Sequence, residues 1–459
     1  MQPEIKNEKI MMQDSIDFGT MNIPKLFRKM FIPTLLGMVL SATITIIDGI
    51  FVGRGVGSDA LAAVNIVAPF FMLSAGIGLM FGVGASIVAS IHLAHNKVKV
   101  ASINITQAIT VSLSITVLLC ALVMLFRTDM AYLLGSSDLL LPLVLEYMNW
   151  IVPFLACNML LSVGLFVIRL DGSPTFAMMC SAVPAAINLV LDYVLVFPLQ
   201  LGLAGAAIAS VISVVVGSIM ILVYLLKYNK VLYLYRPKFS LKSIRLTIRN
   251  IGYMIKLGFS AFLNEAAIAC MMLVGNYVFI HYLGEDGVAA YSVACYWFPI
   301  VFMVNNAIAQ STQPIISYNY GAGQWIRVKQ AFRLSLKFAI ICGALACLVT
   351  IMLCPAVVSL FLGSTGNARE IAIQGIPYFA LGFLFFALNI VCIGYFQSIE
   401  KFKQATFFTV LRGIVIITVC FVSLPLLWGI KGIWLAVPFT ELITFAIIVS
   451  YYLRQHFKR

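Results

Sequence analysis

Charge is what this chain lacks. Asp, Glu, Lys and Arg make up 10% of its 459 residues, against 62% hydrophobic ones, and the mean hydropathy is +1.03. A soluble domain carries about a quarter of its residues charged, so a water-soluble core is excluded and a polytopic helical membrane protein is expected. No nucleotide-binding glycine loop, hydrolase triad or paired metal-ligand spacing occurs. The chain is therefore not expected to be an enzyme, nor to need a cofactor. Transport, if that is its work, has to draw on an ion gradient. Period-two alternation is missing from the apolar runs, which excludes a membrane barrel. The first 27 residues are mixed polar, with Glu4, Asp14 and Asp17, and no short apolar run leads to a small-residue cleavage site, so no signal peptide is expected. The ten cysteines all lie inside or at the ends of apolar runs; they read as small packing residues without a disulfide framework.

What is present is a series of twelve apolar segments, roughly 28–52, 61–91, 102–126, 139–166, 177–199, 204–226, 252–283, 287–317, 329–352, 370–396, 406–426 and 431–454. Each is long enough for a helical crossing. Lys and Arg outnumber Asp and Glu by 30 to 17, which by itself would be compatible with nucleic acid. Their position argues otherwise. With twelve crossings and an inner N-terminus, all but Arg54, Arg127, Arg369 and Lys431 fall on the inner side. This positive-inside bias puts both termini in the cytoplasm, with no nucleic-acid partner. The basic stretch from Lys227 to Asn250 is the longest expected to lie outside the membrane. It divides the chain into a cytoplasmic segment 1–27, a six-helix lobe 28–226, a linker 227–250, a second lobe 251–454 and a tail 455–459. The linker and Lys25–Lys29 are able to lie along the inner leaflet, against lipid headgroups.

The two halves repeat. GlySerAspAlaLeuAlaAla at 57–63 answers GlyGluAspGlyValAlaAla at 284–290, LysValLysValAla at 97–101 answers ArgValLysGlnAla at 327–331, and GlyLeuAlaGly at 202–205 answers GlyIleLysGly at 429–432. Each pair lies on one side of the membrane, so the repeat is parallel, about an axis along the membrane normal. That is a transporter architecture with the site between halves.

Polar groups inside the apolar runs are the candidates for chemistry. Asp48 is the one charge in Phe31–Val52. An isolated carboxylate at that depth costs on the order of 3 kcal/mol unless it faces a wet cavity, finds partners or takes a proton. The alternative is that it merely caps the helix end beside Gly49. Asn188 and Asp192 are four residues apart and share a helix face, with Pro184 one turn earlier, where its ring disturbs the backbone ladder. Two carboxylates and an amide can share a proton or bind a hard cation such as Na⁺ through oxygen. Ser210 is a further oxygen donor, or else one more small packing residue. In the second half Asn264 and Glu265 open the seventh segment, Glu265 being either functional or paired with Lys256. Asn305, Gln310 and Gln313 line the eighth, either on a path or joining helices. Tyr296 is among the aromatics able to face a cavity for flat cations, and as able to pack.

The stretches AspGlyIlePheValGlyArgGlyValGly at 48–57, IleArgLeuAspGlySerProThrPheAlaMet at 168–178, AsnLeuValLeuAsp at 188–192, GlnProIleIleSerTyrAsnTyrGlyAla at 313–322 and TyrPheGlnSerIleGluLys at 395–401, with Arg412 beyond, span the chain almost end to end. In combination they resemble the multidrug and toxic compound extrusion (MATE) family, in its bacterial branch of DinF-like and MepA-like exporters. The resemblance implies an all-α integral membrane fold of twelve helices in two six-helix lobes. It implies alternating access and export of amphipathic, mostly cationic compounds in exchange for H⁺ or Na⁺, by a monomer in the bacterial inner membrane. It assigns the coupling site to Asp48, Asn188, Asp192 and Ser210, and helix bending to Pro33. A second-lobe cation site of another branch maps loosely on Glu265, with Asn389 as the nearest polar residue in place of an Asp. Glu400 stands where the family often has glycine. Two rivals are a flippase for lipid-linked saccharide, which calls for a cationic cavity, and a channel or receptor, which needs no titratable carboxylate pair. The acidic groups of the first half favour cationic cargo over the flippase.

Overall fold

A computed structural model describes residues 16–236, 240–362 and 366–457. Glu4, Asp14, Lys238, the side chain of Arg54 and the side chains of the tail 455–459 lie outside the described residues. In lipid no water is at hand for backbone N–H and C=O groups, so long apolar runs close their hydrogen bonds internally and become helices. Ile23–Gly55, Ser58–Ala94, Val98–Leu125, Pro174–Val196 and Gly202–Val223 are such helices, as are Trp325–Met352 and Ile430–Phe457. Others are interrupted. Leu141–Leu170 passes through a 3₁₀ turn at Val152–Phe154, where Pro153 removes a donor. Asn367–Ala380 and Gly382–Ser398 meet at a 41° bend and make one span. Phe402–Trp428 contains a π-helical turn at Leu411–Ile416.

The continuous helix Leu241–Gly321 runs to 81 residues, about 120 Å at 1.5 Å per residue, far more than one bilayer. It is broken at Gly284, whose φ of 65° and ψ of −156° are non-helical, a conformation open to glycine. Counting it as two spans and the bent pair as one, the described chain carries twelve membrane-length spans, in the order the sequence lays out. The helix begins at Leu241 because Ser240 caps it, its hydroxyl accepting from Ser243 N at 3.2 Å. The last ten residues of the basic stretch, Leu241 to Asn250, are thus helical.

By contacts the chain divides into two compact units, Met1–Ala261 with Ser317–Trp325, and Phe262–Ile316 with Ile326–Arg459. The first turns of the seventh span belong to the first unit: a side chain at Gly84 would collide with the Met254 carbonyl, and Gln107 donates to Thr247 at 2.9 Å. Ser317–Trp325 joins the same unit, with Asn319 Nδ2 donating to the Phe18 carbonyl at 3.0 Å. The first unit's core is aliphatic, around Val52, Val67, Met148, Val196 and Leu203. That of the second is aromatic, around Phe279, Tyr291, Phe298, Phe379, Phe421 and Trp434.

The repeat is visible in the backbone. Positive φ occurs at Gly57 and Gly284, Asn96 and Gly323, Gly172 and Glu400, and Gly202 and Gly429, each pair 227 or 228 residues apart. At Gly172 and Glu400 even the helix-ending hydrogen bonds match: Asp171, Gly172 and Ser173 N–H donate to Val167, Arg169 and Ile168, and Ile399, Glu400 and Lys401 N–H donate to Tyr395, Gln397 and Phe396.

Candidate functional site

Most polar side chains in the spans satisfy themselves on their own helix. Thr116 donates to the Ser112 carbonyl, Ser311 to Ala307, Thr440 to Ala436 and Thr444 to Thr440, at 2.6–2.9 Å. Against that background a few buried polar atoms stand out for having no hydrogen-bond partner among the described residues. In the first unit they include Asp48 Oδ1, Asn188 Nδ2 and both carboxylate oxygens of Asp192.

The first and fifth spans pack together and bring these groups to one place. Asp192 is 1% exposed and Asn188, one turn earlier, 8%; Asp48 is half-buried. The two carboxylates lie side by side, close enough for one to hydrogen-bond the other when a proton is between them. Tyr147, buried on the fourth span, lies within electrostatic reach of both and has no forerunner in the sequence reading. Ser210 is half-buried on the sixth span; its carbonyl accepts from Ser213 at 2.7 Å, and its hydroxyl is in no hydrogen bond with either Asp. Pro33 and Pro184 both sit inside helices that continue past them. Two acids and an amide offer oxygen ligands of the kind hard cations take. They equally offer a carboxyl–carboxylate pair that holds one proton.

The second unit is organised differently. Asn264 and Asn389 were expected beside Glu265; instead they belong to a buried network around Arg412 and Glu441. Arg412 Nη1 meets Glu441 Oε1 at 3.4 Å, with side chains 3% and 7% exposed. Arg412 Nη2 donates to Asn264 Oδ1 at 3.0 Å. Asn389 Nδ2 donates to Glu441 Oε2 at 2.7 Å and to the Glu441 carbonyl at 2.8 Å. The Arg412 guanidinium lies 5.0 Å from the centre of the Phe386 ring. The π-helical turn of the eleventh span carries Arg412 and Gly413; a side chain at Gly413 would collide with Ala267 on the seventh span, so glycine lets the two helices close around the arginine. Glu265 makes no ion pair among the described residues and stands apart from this network. Asn389 turns away from it because the Glu441 carboxylate and carbonyl take both of its amide hydrogens.

Of the expected cavity residues, Asn305 is 1% exposed, with neither side-chain polar atom partnered. Gln310 and Gln313 are buried on the same span. Tyr296 is 49% exposed and stacks on Phe361 at 5.7 Å.

Sequence reading also passed over Asp171. Its carboxylate ends the fourth span and accepts from Lys230, Val231 and Leu232 N–H and from the Tyr224 hydroxyl, each at 2.7 Å. The chain leaving the sixth span is thereby clamped, and Tyr233 N–H continues it onto Ser102 Oγ at 3.1 Å. The signal was the motif IleArgLeuAspGlySerPro at 168–174, used only for resemblance.

The MatE family model matches residues 33–194 and 260–422. The chain is similar to the multidrug export protein MepA of Staphylococcus saprophyticus, 25% identical over 437 residues and 92% of each chain. It is also similar to an FAD transporter of Shewanella oneidensis, 26% identical over 448 residues and 94% of each. Its fold is similar to that of a multidrug resistance MATE family transporter of the MOP superfamily, solved in an outward-facing conformation, with a TM-score of 0.87, 20% identity and 98% of each chain covered.

Proposed function

The chain belongs to the MATE family of multidrug efflux transporters, in its MepA-like branch, and on that premise we propose that it exports amphipathic, mostly cationic compounds in exchange for H⁺ or Na⁺. The observation that carries this reading is the carboxylate pair. Asp48 and Asp192 come from different helices and lie together, and no hydrogen bond among the described residues is made at Asp48 Oδ1 or at either Asp192 oxygen. Buried negative charge left in that state takes up a proton or a cation. Either one removes the charge that attracts a cationic drug. Ion and drug then compete for the same electrostatic stabilisation, and the competition is reciprocal, as exchange requires. Asn188 and Ser210 supply further oxygen to an ion held there. Pro33 removes a hydrogen bond from the first span, so a bend there is able to reshape the pocket when the ion binds. The family members that the chain is similar to are named for different cargo, multidrug export and FAD transport. The acidic site of the first unit is what favours cations here.

The protein works as a monomer in the bacterial inner membrane, with both termini and the basic stretch 227–250 on the cytoplasmic side, as the distribution of Lys and Arg supports. The test is equilibrium binding of ethidium to detergent-solubilised protein, scanned over pH and over Na⁺ at constant ionic strength. Affinity falls as pH drops or Na⁺ rises, and Asp192→Asn flattens the dependence. Affinity insensitive to both would move the coupling site elsewhere, Glu265 being the next acid to test. A saccharide flippase or a channel would show no counterflow of ethidium in proteoliposomes.

A further inference from the structure

The seventh span starts earlier than its counterpart. The first span begins at Ile23, matched in the repeat by Asn250 or Ile251; the seventh begins at Leu241, between two and three turns sooner. One side of these extra turns packs on the third span: Gln107 Nε2 donates to Thr247 Oγ1 at 2.9 Å, and Asn250 Nδ2 donates to Gln107 Oε1 at 3.1 Å. The other side is open. Leu241, Ile244 and Ile248 are 89%, 44% and 69% exposed, and Lys242, Arg245 and Arg249 are exposed beside them. Each trio falls at spacings of three and four, so an apolar stripe and a basic stripe run side by side. No acid of the adjoining chain offsets the basic stripe. The sequence has no Asp or Glu between Asp192 and Glu265, nor between Asp59 and Asp129, which takes in the third span. The Asp171 carboxylate is taken up by its four donors.

The third span sets the depth of this surface. Val98–Leu125 has 28 residues, about 42 Å, the thickness of a bilayer with its headgroups, about 40–45 Å. Val98 thus stands at one face of the membrane, and Gln107, nine residues on, is about 13 Å in. Thr247 and Asn250 bracket Gln107, so 241–249 runs from the headgroup layer to the edge of the hydrocarbon. The segment 229–235 reaches the same depth. Tyr233 and Tyr235 N–H donate to the Ser102 and Thr106 hydroxyl oxygens at 3.1 Å, one turn apart on the third span, and both tyrosine side chains are 39% exposed. Tyrosine rings and the long stems of Lys and Arg settle at such a boundary.

We propose that this surface binds an anionic phospholipid, its headgroup phosphate among the Lys242, Arg245 and Arg249 side chains and an acyl chain along Leu241, Ile244 and Ile248. Orientation in the membrane asks only for charge on one side. It does not ask for an apolar stripe beside that charge, nor for a helix continued beyond the start of its counterpart. The site is independent of Asp48 and Asp192 and of the ion they are proposed to bind. On the orientation proposed above, the lipid belongs to the inner leaflet.

The experiment uses the full-length protein in phosphatidylcholine bilayers, with Tyr235→Trp as a local fluorescent reporter. Brominated phosphatidylglycerol or brominated phosphatidylcholine is titrated in, and quenching is read as the difference from the protein without the reporter. Bromines in both leaflets make the reading independent of orientation. Each cation at a membrane surface favours anionic lipid by about fivefold. Three of them, partly screened by salt, give phosphatidylglycerol a preference of about tenfold or more. Lys242→Gln/Arg245→Gln/Arg249→Gln abolishes the preference and leaves quenching by phosphatidylcholine. Lys329→Gln/Arg333→Gln/Lys337→Gln, an equal loss of exposed charge on the ninth span, keeps it. Equal quenching by the two lipids, or the same loss of preference in both triple variants, would overturn the proposal. So would quenching by neither, since something other than lipid then covers the face. Displacement by millimolar glycerol phosphate at constant ionic strength would overturn it as well, because the ligand is then a free phosphate.

Discussion

Pro184 in the fifth span and Arg412 in the eleventh stand at the same place in the repeat, 228 residues apart. Downstream the fifth span presents Asn188 and Asp192; the eleventh presents Ile416 and Cys420 at the matching positions. Asp48 is matched by Gly275. Yet four pairs of positive-φ positions coincide between the two halves of the repeat. Backbone demands at helix ends have thus stayed common to both halves, while intramembrane charge has not. The first unit brings together Asp48 and Asp192, with no donor among the described residues at Asp48 Oδ1 or at either Asp192 oxygen. The second matches an arginine to a glutamate and joins both to amides. A site of the first kind has to recruit something from outside the chain. One of the second kind is neutral as built and holds its helices together.

The largest test of that difference is functional. Asp48→Asn and Asp192→Asn each reduce gradient-driven ethidium efflux from proteoliposomes to background, about a hundredfold, toward the upper end of ordinary coupling free energies. Membrane insertion and expression are unchanged. Undiminished efflux by either variant would remove that carboxylate from the coupling site.

Stability should respond in the opposite sense in the two units. Arg412→Gln strands Glu441 in the interior and costs about 3–5 kcal/mol, as breaking a buried pair does; Arg412→Gln/Glu441→Gln recovers most of it. Asp48→Asn/Asp192→Asn removes carboxylates that lack donors and stabilises the protein by about 1–3 kcal/mol. Thermal denaturation in detergent at neutral pH reads both. A first-unit double variant that melts lower than wild type would mean its acids are satisfied in a way the second unit's are not.

How far each half was legible follows from the same contrast. The twelve spans were plain because long apolar runs leave a chain in lipid no alternative to helix. Asp48 was plain because it is alone in its run, and Asn188 with Asp192 because four residues is one turn. Glu441 was not, since its partner is 29 residues away and on another helix. A signal existed: Arg412 inside a span requires a counter-charge, and Glu441 is one of the few second-half acids in an apolar run. Counting Arg412 among the inner-side cations hid that demand. The break at Gly284 was placed by the apolar pattern, but the helical start at Leu241 was missed, because seven basic residues between 227 and 249 read as linker and masked the Ser240 cap.

Asp171 sharpens the comparison at smaller scale. Its match in the repeat is Ile399, so the carboxylate clamp exists in one unit alone. Asp171→Ala leaves the amides of Lys230, Val231 and Leu232 without their acceptor and costs about 1–3 kcal/mol. The segment 229–235 then becomes open to limited proteolysis. Ile399→Ala changes cleavage nowhere in that segment, and equal susceptibility in wild type and Asp171→Ala would show that the bonds from Tyr233 to Ser102 and from Tyr235 to Thr106 hold it unaided.

The smallest effect sits where the two backbones agree and the residues do not. Gly172 ends the fourth span at φ 85° and Glu400 ends the tenth at φ 60°, with the same three hydrogen bonds around each. The left-handed region costs an L-residue roughly 1–2 kcal/mol, and glycine escapes that at the expense of about 0.5–1 kcal/mol of extra unfolded-state entropy. Glu400→Gly therefore stabilises by no more than about 1 kcal/mol, the more so as the Glu400 side chain has interactions of its own to lose. Gly172→Ala runs the other way. It takes on the left-handed penalty and sets a methyl 3.2 Å from Ile16 N, for a loss of about 1–2 kcal/mol. If the two substitutions shift the melting temperature in the same direction, the helix ends are not equivalent, and the repeat is one of sequence position without a shared conformational demand.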